Sequence, residues 1–147
     1  MAEVENYMKI ELPAVSENEG LARMLVSAFL LPLNPTMEEL ADVKTALCEA
    51  VTNAVIHGYE GRGGNMELTF EKKGREIFFQ VTDYGVGIAD VEKAMEPLFT
   101  TKPEMERSGM GFTFMEAFMD EVRVASVLHK GTVVRMRKKL AAPDSEV

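Results

Sequence analysis

Glu49-Ala50-Val51-Thr52-Asn53-Ala54-Val55-Ile56-His57-Gly58 is the stretch on which the reading of this chain turns. It closes a run that opens with Thr36-Met37-Glu38-Glu39, the capping-box pattern in which a hydroxyl and a carboxylate satisfy the free amides of a helix start. Leu40, Val43, Leu47, Val51 and Ala54 recur at helical spacing. That predicts one core-facing stripe on a long helix running to about His57, where Gly58 stops it. Glu49, Asn53 and His57 stand four residues apart and project from one face, largely away from that stripe. A carboxylate and an amide at this spacing could together hold a divalent cation or a water. Glutamate is a competent proton acceptor, and asparagine offers a neutral oxygen to a hard metal such as magnesium. A solvated helix face ending in a histidine would show the same pattern.

Working outward, Ser16-Glu17-Asn18-Glu19 reads as another capping box, followed by Leu21, Met24, Leu25, Ala28 and Phe29 at helical spacing up to Pro32. Arg23 beside that stripe makes the first helix a candidate dimer or partner surface, although core burial explains the stripe equally well. Tyr7 to Leu12 alternates as an edge strand would. Downstream, Met66-x-Leu68-x-Phe70 and Ile77-x-Phe79-x-Val81 flank Lys72-Lys73-Gly74-Arg75 and predict a hairpin. Phe112 to Met119 reads as an apolar helix, and Val122–Val127 with Thr132–Lys138 as a closing hairpin around Lys130-Gly131. This order predicts an α+β fold: a two-layer sandwich of a mixed, mostly antiparallel sheet covered on one face by helices. Residues 1–140 are expected to form a single domain, with 141–147 as a tail.

The composition suits this. In 147 residues, 46% are apolar and 27% charged, with a formal net charge of -8, the balance of a chain that folds around a core. An acidic protein lacks the clustered cations that grip phosphate backbones, so no direct nucleic-acid partner is expected. The single cysteine, Cys48, excludes an internal disulfide and a cysteine-built zinc cage, and is expected to act as a small buried hydrophobe. The longest apolar stretch, Met24 to Leu33, is too short to span a bilayer and contains Pro32. The acidic start, Met1 to Glu5, lacks the features of a signal peptide, and a cytoplasmic location without membrane association is expected. The basic run Arg135, Arg137, Lys138, Lys139 reads as the guard of an edge strand, and His129 as an exposed turn residue.

Two further motifs could carry chemistry. Asp83-Tyr84-Gly85-Val86-Gly87 follows a strand directly. A carboxylate there can accept a hydrogen bond from an exocyclic amine, and Gly85 and Gly87 would let a ligand approach the backbone; an ordinary strand-ending turn uses the same residues. Ser108-Gly109-Met110-Gly111-Phe112 opens a helix, where free amides and the helix dipole attract phosphate. It is neither a P-loop nor a good dinucleotide fingerprint. Between them, the aperiodic stretch Glu96 to Ser108 is a candidate mobile loop, in which Thr100, Thr101, Lys102 and Arg107 could contact a terminal phosphate or merely keep a surface connection soluble.

Taken in order, Glu-x-x-x-Asn on a helix, Asp-x-Gly-x-Gly after a strand, and Gly-x-Gly opening a helix resemble the ATP-binding fold shared by DNA gyrase, histidine kinases and mismatch-repair ATPases, the GHKL superfamily. The resemblance covers about residues 36 to 138. Glu49 to Tyr59, Pro97-Leu98-Phe99-Thr100-Thr101-Lys102-Pro103 and Arg107 to Phe112 look like the version found in bacterial anti-sigma factors with serine kinase activity, the sporulation branch ahead of the stress-response branch. That resemblance implies binding of ATP or ADP with Mg2+, and phosphorylation of a serine on an anti-anti-sigma protein. It also implies sequestration of a sigma-F-like sigma factor, and a homodimer. By the same resemblance, Glu49 would be the base for the attacking hydroxyl, Asn53 a magnesium ligand, and Asp83 the partner of the adenine amine. Gly85 and Gly87 would shape the base pocket, and Thr132 would lie near the adenine. Ser108, Gly109, Met110 and Gly111 would meet the phosphates, with Thr100, Thr101 and Lys102 upstream, and Arg107 would balance charge on the transferred group. A binding module gated by nucleotide without phosphotransfer fits the same motifs less well, because Glu49 stands where a base is needed, and an isolated ATP hydrolase is expected least, because nothing in the motifs couples hydrolysis to a second domain.

Overall fold

The computed structural model describes residues 5–60, 62–96 and 111–142. Strand β1 (Asn6–Pro13) leads to helix α1 (Asn18–Leu30), a single 3-10 turn (Leu31–Leu33), and helix α2 (Met37–Thr52), which continues as a π-turn over Asn53–Gly58. Strands β2 (Asn65–Lys73) and β3 (Glu76–Asp83) form the expected hairpin. A short helix α3 (Val91–Ala94), helix α4 (Gly111–Phe118) and strands β4 (Glu121–Val127) and β5 (Gly131–Lys139) complete the order.

The sheet has five strands in the order β1-β2-β3-β5-β4. The expected two-layer α+β sandwich is therefore present, and every pairing among the described residues is antiparallel rather than mixed. Alternation decides which side faces inward: Met66, Leu68 and Phe70 on β2, Ile77, Phe79 and Val81 on β3, and Val134 and Met136 on β5 are all buried. They pack beneath Val43, Ala46, Leu47, Ala50, Val51 and Ala54 of α2, so the anticipated stripe is the core stripe, with Leu40 at its half-buried end. Phe70 meets Phe79 edge-on at 5.5 Å between ring centroids and Phe29 tilted at 5.7 Å, arrangements that suit the quadrupoles of the rings. Helices α1 and α4 flank α2 on either side.

The Thr36 capping box forms in full: Thr36 Oγ1 accepts from the Glu39 amide at 3.0 Å, and Glu39 Oε1 accepts from the Thr36 amide at 2.9 Å. The other carboxylate oxygen of Glu39 accepts from the amide of Ala141 at 2.8 Å, while the Arg75 guanidinium donates to the Ala141 carbonyl at 2.7 Å. The first residue of the expected tail is thus held against the helix layer; residues 143–147 lie outside the described residues.

Three local expectations are overturned. The Ser16 capping box does not form, because α1 starts with no side-chain cap and Glu19 turns inward. There its carboxylate accepts from Thr52 Oγ1 at 2.7 Å. The buried line of α1 is Ala22, Val26 and Leu30, with Leu25 and Phe29 half-buried, whereas Leu21, Met24 and Ala28 are exposed. Small Ala22 and inward Glu19 let α1 seat on α2, and this contact selects a face that counting large apolar residues misses. The basic run lies on β5, which is an inner strand, so it guards no edge. Arg135 instead pairs with Glu71 at 3.2 Å and covers the Phe78 ring, and Arg137 pairs with Glu76 at 3.2 Å and Glu121 at 3.7 Å, lacing the helix-free face of the sheet.

Candidate functional site

The sheet order builds the site. The chain leaves β3 in the interior of the sheet and must pass over the helix layer to enter β4 at the far edge. That path lays α4 alongside α2 and brings the end of β3 beneath the end of α2.

The last turn of the α2 face is a π-turn, with the Tyr59 amide donating to the Ala54 carbonyl at 3.0 Å. Such widened turns recur at functional sites. The extra width pushes Gly58 against the end of β3: a Cβ on Gly58 would lie 2.7 Å from the Asp83 carboxylate, and one on Gly85 would fall inside the Gly58 carbonyl. That carbonyl accepts from the Val86 amide at 2.8 Å. Helix end and aspartate turn therefore touch backbone to backbone, which only glycine at both positions permits.

Asp83 is buried, and its Oδ1 accepts from the Gly85 amide at 3.0 Å. Burial pushes its carboxyl above the usual carboxylate range, while hydrogen bonds from the Gly85 and Thr132 amides pull in the opposite direction. Thr132, buried, faces Asp83 across the β3–β5 ladder, and its hydroxyl lies 2.8 Å from Ser126 Oγ. On the other side, the Tyr59 hydroxyl accepts from the Tyr84 amide at 2.7 Å and donates to the Asn65 carbonyl. The loop after Asp83 continues along the end of β4: Gly87 has φ +75°, and the His129 amide donates to the Val86 carbonyl at 2.6 Å.

At the opposite end of the α2 face, Gly111 opens α4. A Cβ there would lie 3.1 Å from Glu49 Oε2 and 3.5 Å from Asn53 Oδ1. The amino end of α4, where the dipole favours anions, thus abuts the carboxylate and the amide. Of the expected site residues, Glu49, Asn53 and Gly111 come together at one place, and Asp83, Gly85 and Thr132 at another beside Gly58, with Gly87 against Val127. Thr100, Thr101, Lys102, Arg107, Ser108, Gly109 and Met110, together with the expected mobile loop beyond Glu96, lie outside the described residues.

The donor set fits magnesium. Asn53 Oδ1 and Glu49 Oε2 both lie beside Gly111, and Asn53 Nδ2 is buried with no partner among the described residues. Among the described residues no group of three or more histidine, cysteine or acidic side chains could cage a metal. Two hard oxygen donors beside an anion-favouring helix end suit an ion that takes its remaining ligands from water and phosphate.

Sequence reasoning missed Ser126 and the part that Tyr59 plays, because each acts through a backbone amide of a distant segment. Glu19, which the Ser16 pattern places in a local cap, instead accepts from Thr52. Cys48 is half-buried rather than a buried hydrophobe, with Arg23 donating to Sγ at 3.6 Å, and burial pushes its thiol above the usual range, which makes it a poor nucleophile. No helix among the described residues is long and apolar enough to cross a membrane.

The fold is that of the histidine kinase-like ATPases, and a family model described as "Histidine kinase-like ATPase domain" matches residues 12–138. A solved structure of the RsbU and RsbW domains of a Mycobacterium tuberculosis protein shares the fold, with a TM-score of 0.68 and 19% identity over 97% of this chain and 34% of that one. Among curated proteins, the anti-sigma F factor of Clostridium acetobutylicum is 52% identical over 94% of this chain and 96% of its own length. That of Bacillus licheniformis is 49% identical over 94% and 95%. The chain belongs to the anti-sigma F factor family within the histidine kinase-like ATPases.

Proposed function

We propose that this protein is an ATP-dependent serine kinase that also sequesters a sporulation sigma factor of the sigma-F type, working as a cytoplasmic homodimer. The observation that carries the nucleotide reading is the meeting of Gly111 with Glu49 and Asn53 at one end of the α2 face, while Asp83 meets Gly58 at the other. The second partner is an anti-anti-sigma protein that carries the acceptor serine. The names of the close relatives support the sigma-factor half of this reading.

Asp83 accepts a hydrogen bond from the exocyclic amine of adenine, with its carboxylate already oriented by the Gly85 and Thr132 amides. Gly85 and Gly87 keep side chains out of the base pocket. Asn53 would hold Mg2+, which when bound would neutralise charge on the phosphate oxygens. The amides at the start of α4 receive the phosphates, and Arg107 balances charge on the group in transit. Glu49 takes the proton from the serine hydroxyl as the serine Oγ–P bond forms and the bond from the γ-phosphorus to the β,γ-bridging oxygen breaks; phosphoserine and ADP leave.

The test is transfer of labelled γ-phosphate from ATP to the purified cognate anti-anti-sigma protein. Wild type should transfer, Glu49→Gln should bind ATP without transferring, and Asn53→Ala should lose the magnesium-dependent part of ATP binding. A wild-type protein that binds no ATP refutes the reading. One that binds ATP and the sigma factor but never transfers phosphate leaves a binding module.

A further inference from the structure

We propose that Ser126 is a positioning residue of the base pocket: its hydroxyl ties the loop after Asp83 to Thr132 and so holds both base-facing groups in register. This rests on the ATP-binding reading above. Ser126 pairs with Thr132 across β4–β5, and Thr132 pairs with Asp83 across β3–β5. Residues directly opposite in an antiparallel ladder share a face, so Asp83, Thr132 and Ser126 form one row across three strands. That row continues the side of the sheet on which Val81, Val134 and Val124 face the helices.

Three hydrogen bonds meet at the Ser126 oxygen. It accepts from the Ile88 amide at 2.7 Å, lies 3.0 Å from the Gly131 carbonyl as a donor, and lies 2.8 Å from Thr132 Oγ1. One side chain thereby joins the end of the aspartate loop, the β4–β5 turn and the pocket hydroxyl. Among the described residues, the Tyr84 amide to the Tyr59 hydroxyl holds the start of this loop, the Val86 amide to Gly58 and the His129 amide to Val86 hold its middle, and Ser126 holds its far end. Without the serine oxygen, the Ile88 amide and the Thr132 hydroxyl both lose a fixed partner, and the far end of the loop that begins at Asp83 loses its tie to Thr132.

The expected signature is specific to the base. In Ser126→Ala, affinity for ATP and for ADP should fall by the same factor, about five- to tenfold for a neutral hydrogen-bond node. Phosphotransfer at saturating ATP should stay within about twofold of wild type. The penalty should shrink to under about twofold for the triphosphate of purine riboside, which lacks the 6-amino group that Asp83 would read, and Ser126→Thr should restore ATP affinity. Direct binding titrations with ATP, ADP and the deaminated analogue measure all of this, with melting curves to show that each variant is folded. Equal ATP affinity in wild type and Ser126→Ala overturns the proposal, as does an equal loss for the deaminated analogue, which marks a merely structural role. A wild type that binds no ATP overturns this proposal and the reading it rests on together; intact wild-type binding with an unaffected Ser126→Ala overturns this one alone.

Discussion

Thr52→Val isolates the buried hydrogen bond that joins α1 to the site helix. Thr52 is 8% exposed and Glu19 is 9% exposed, and their side chains meet at 2.7 Å one residue before Asn53 and three after Glu49. Valine has the shape of threonine, is branched at the same carbon and has a comparable helix propensity, so the substitution removes the O–H donor and little else. A hydrogen bond to a charged acceptor contributes about 1.5–3 kcal/mol. For a domain of 147 residues, the entropy of unfolding converts 1 kcal/mol into roughly 3 °C, so Tm should fall by about 5–9 °C. Thermal and urea unfolding of wild type, Thr52→Val, Glu19→Ala and the double variant form a cycle, and coupling of about 1–2 kcal/mol is expected because the two side chains share one bond. Should Thr52→Val unfold within about 0.5 kcal/mol of wild type, or should the cycle be additive, the idea that this pair anchors α1 to the site helix is wrong.

Two further outcomes test the site itself. Asp83→Asn should weaken ATP binding by about tenfold or more, since an amide cannot offer two acceptor oxygens to the Gly85 and Thr132 amides and the adenine amine. It should nevertheless stabilise the fold at neutral pH. Burial raises the folded-state pKa of Asp83, so the carboxyl stabilises the fold fully only below its unfolded value and that contribution is lost as pH rises through the folded value. The stability gain of the variant, measured by urea unfolding, should therefore grow across that window and then level off. Gly85→Ala should cost about 3 kcal/mol or more and abolish nucleotide binding, because its Cβ would fall on the Gly58 backbone and break the contact through which Val86 donates; a variant with normal stability and affinity would refute that contact.

Much of the layout was legible because its causes are local. The Thr36 cap, the α2 stripe and both hairpins follow from neighbours in sequence, and the spacing of Glu49 and Asn53 follows from the pitch of a helix. The seating of α1 was not legible: Leu21, Met24 and Ala28 have the right spacing for a core face, yet Ala22, Val26 and Leu30 occupy it, the side to which the contact of Glu19 with Thr52 turns the helix. Nor could the sequence show that Ser126 and Tyr59 brace the aspartate turn, since each reaches a backbone amide with no sequence signature.

By itself, the amino-acid sequence determined the chemical alphabet of this protein: a carboxylate and an amide one helical turn apart, an aspartate closing a strand, paired glycines opening a helix. Helix pitch, strand alternation and terminal amides are properties of the chain at short range. What only the tertiary structure decided is that the carboxylate and the amide meet the start of α4 at Gly111, while the aspartate meets Gly58. That required the inner position of β3, the path of α4 back across α2, and the π-turn that brings Gly58 onto Gly85. Such contacts are set by which surfaces pack without voids or unpaired polar groups, a condition on the whole molecule that no short segment contains.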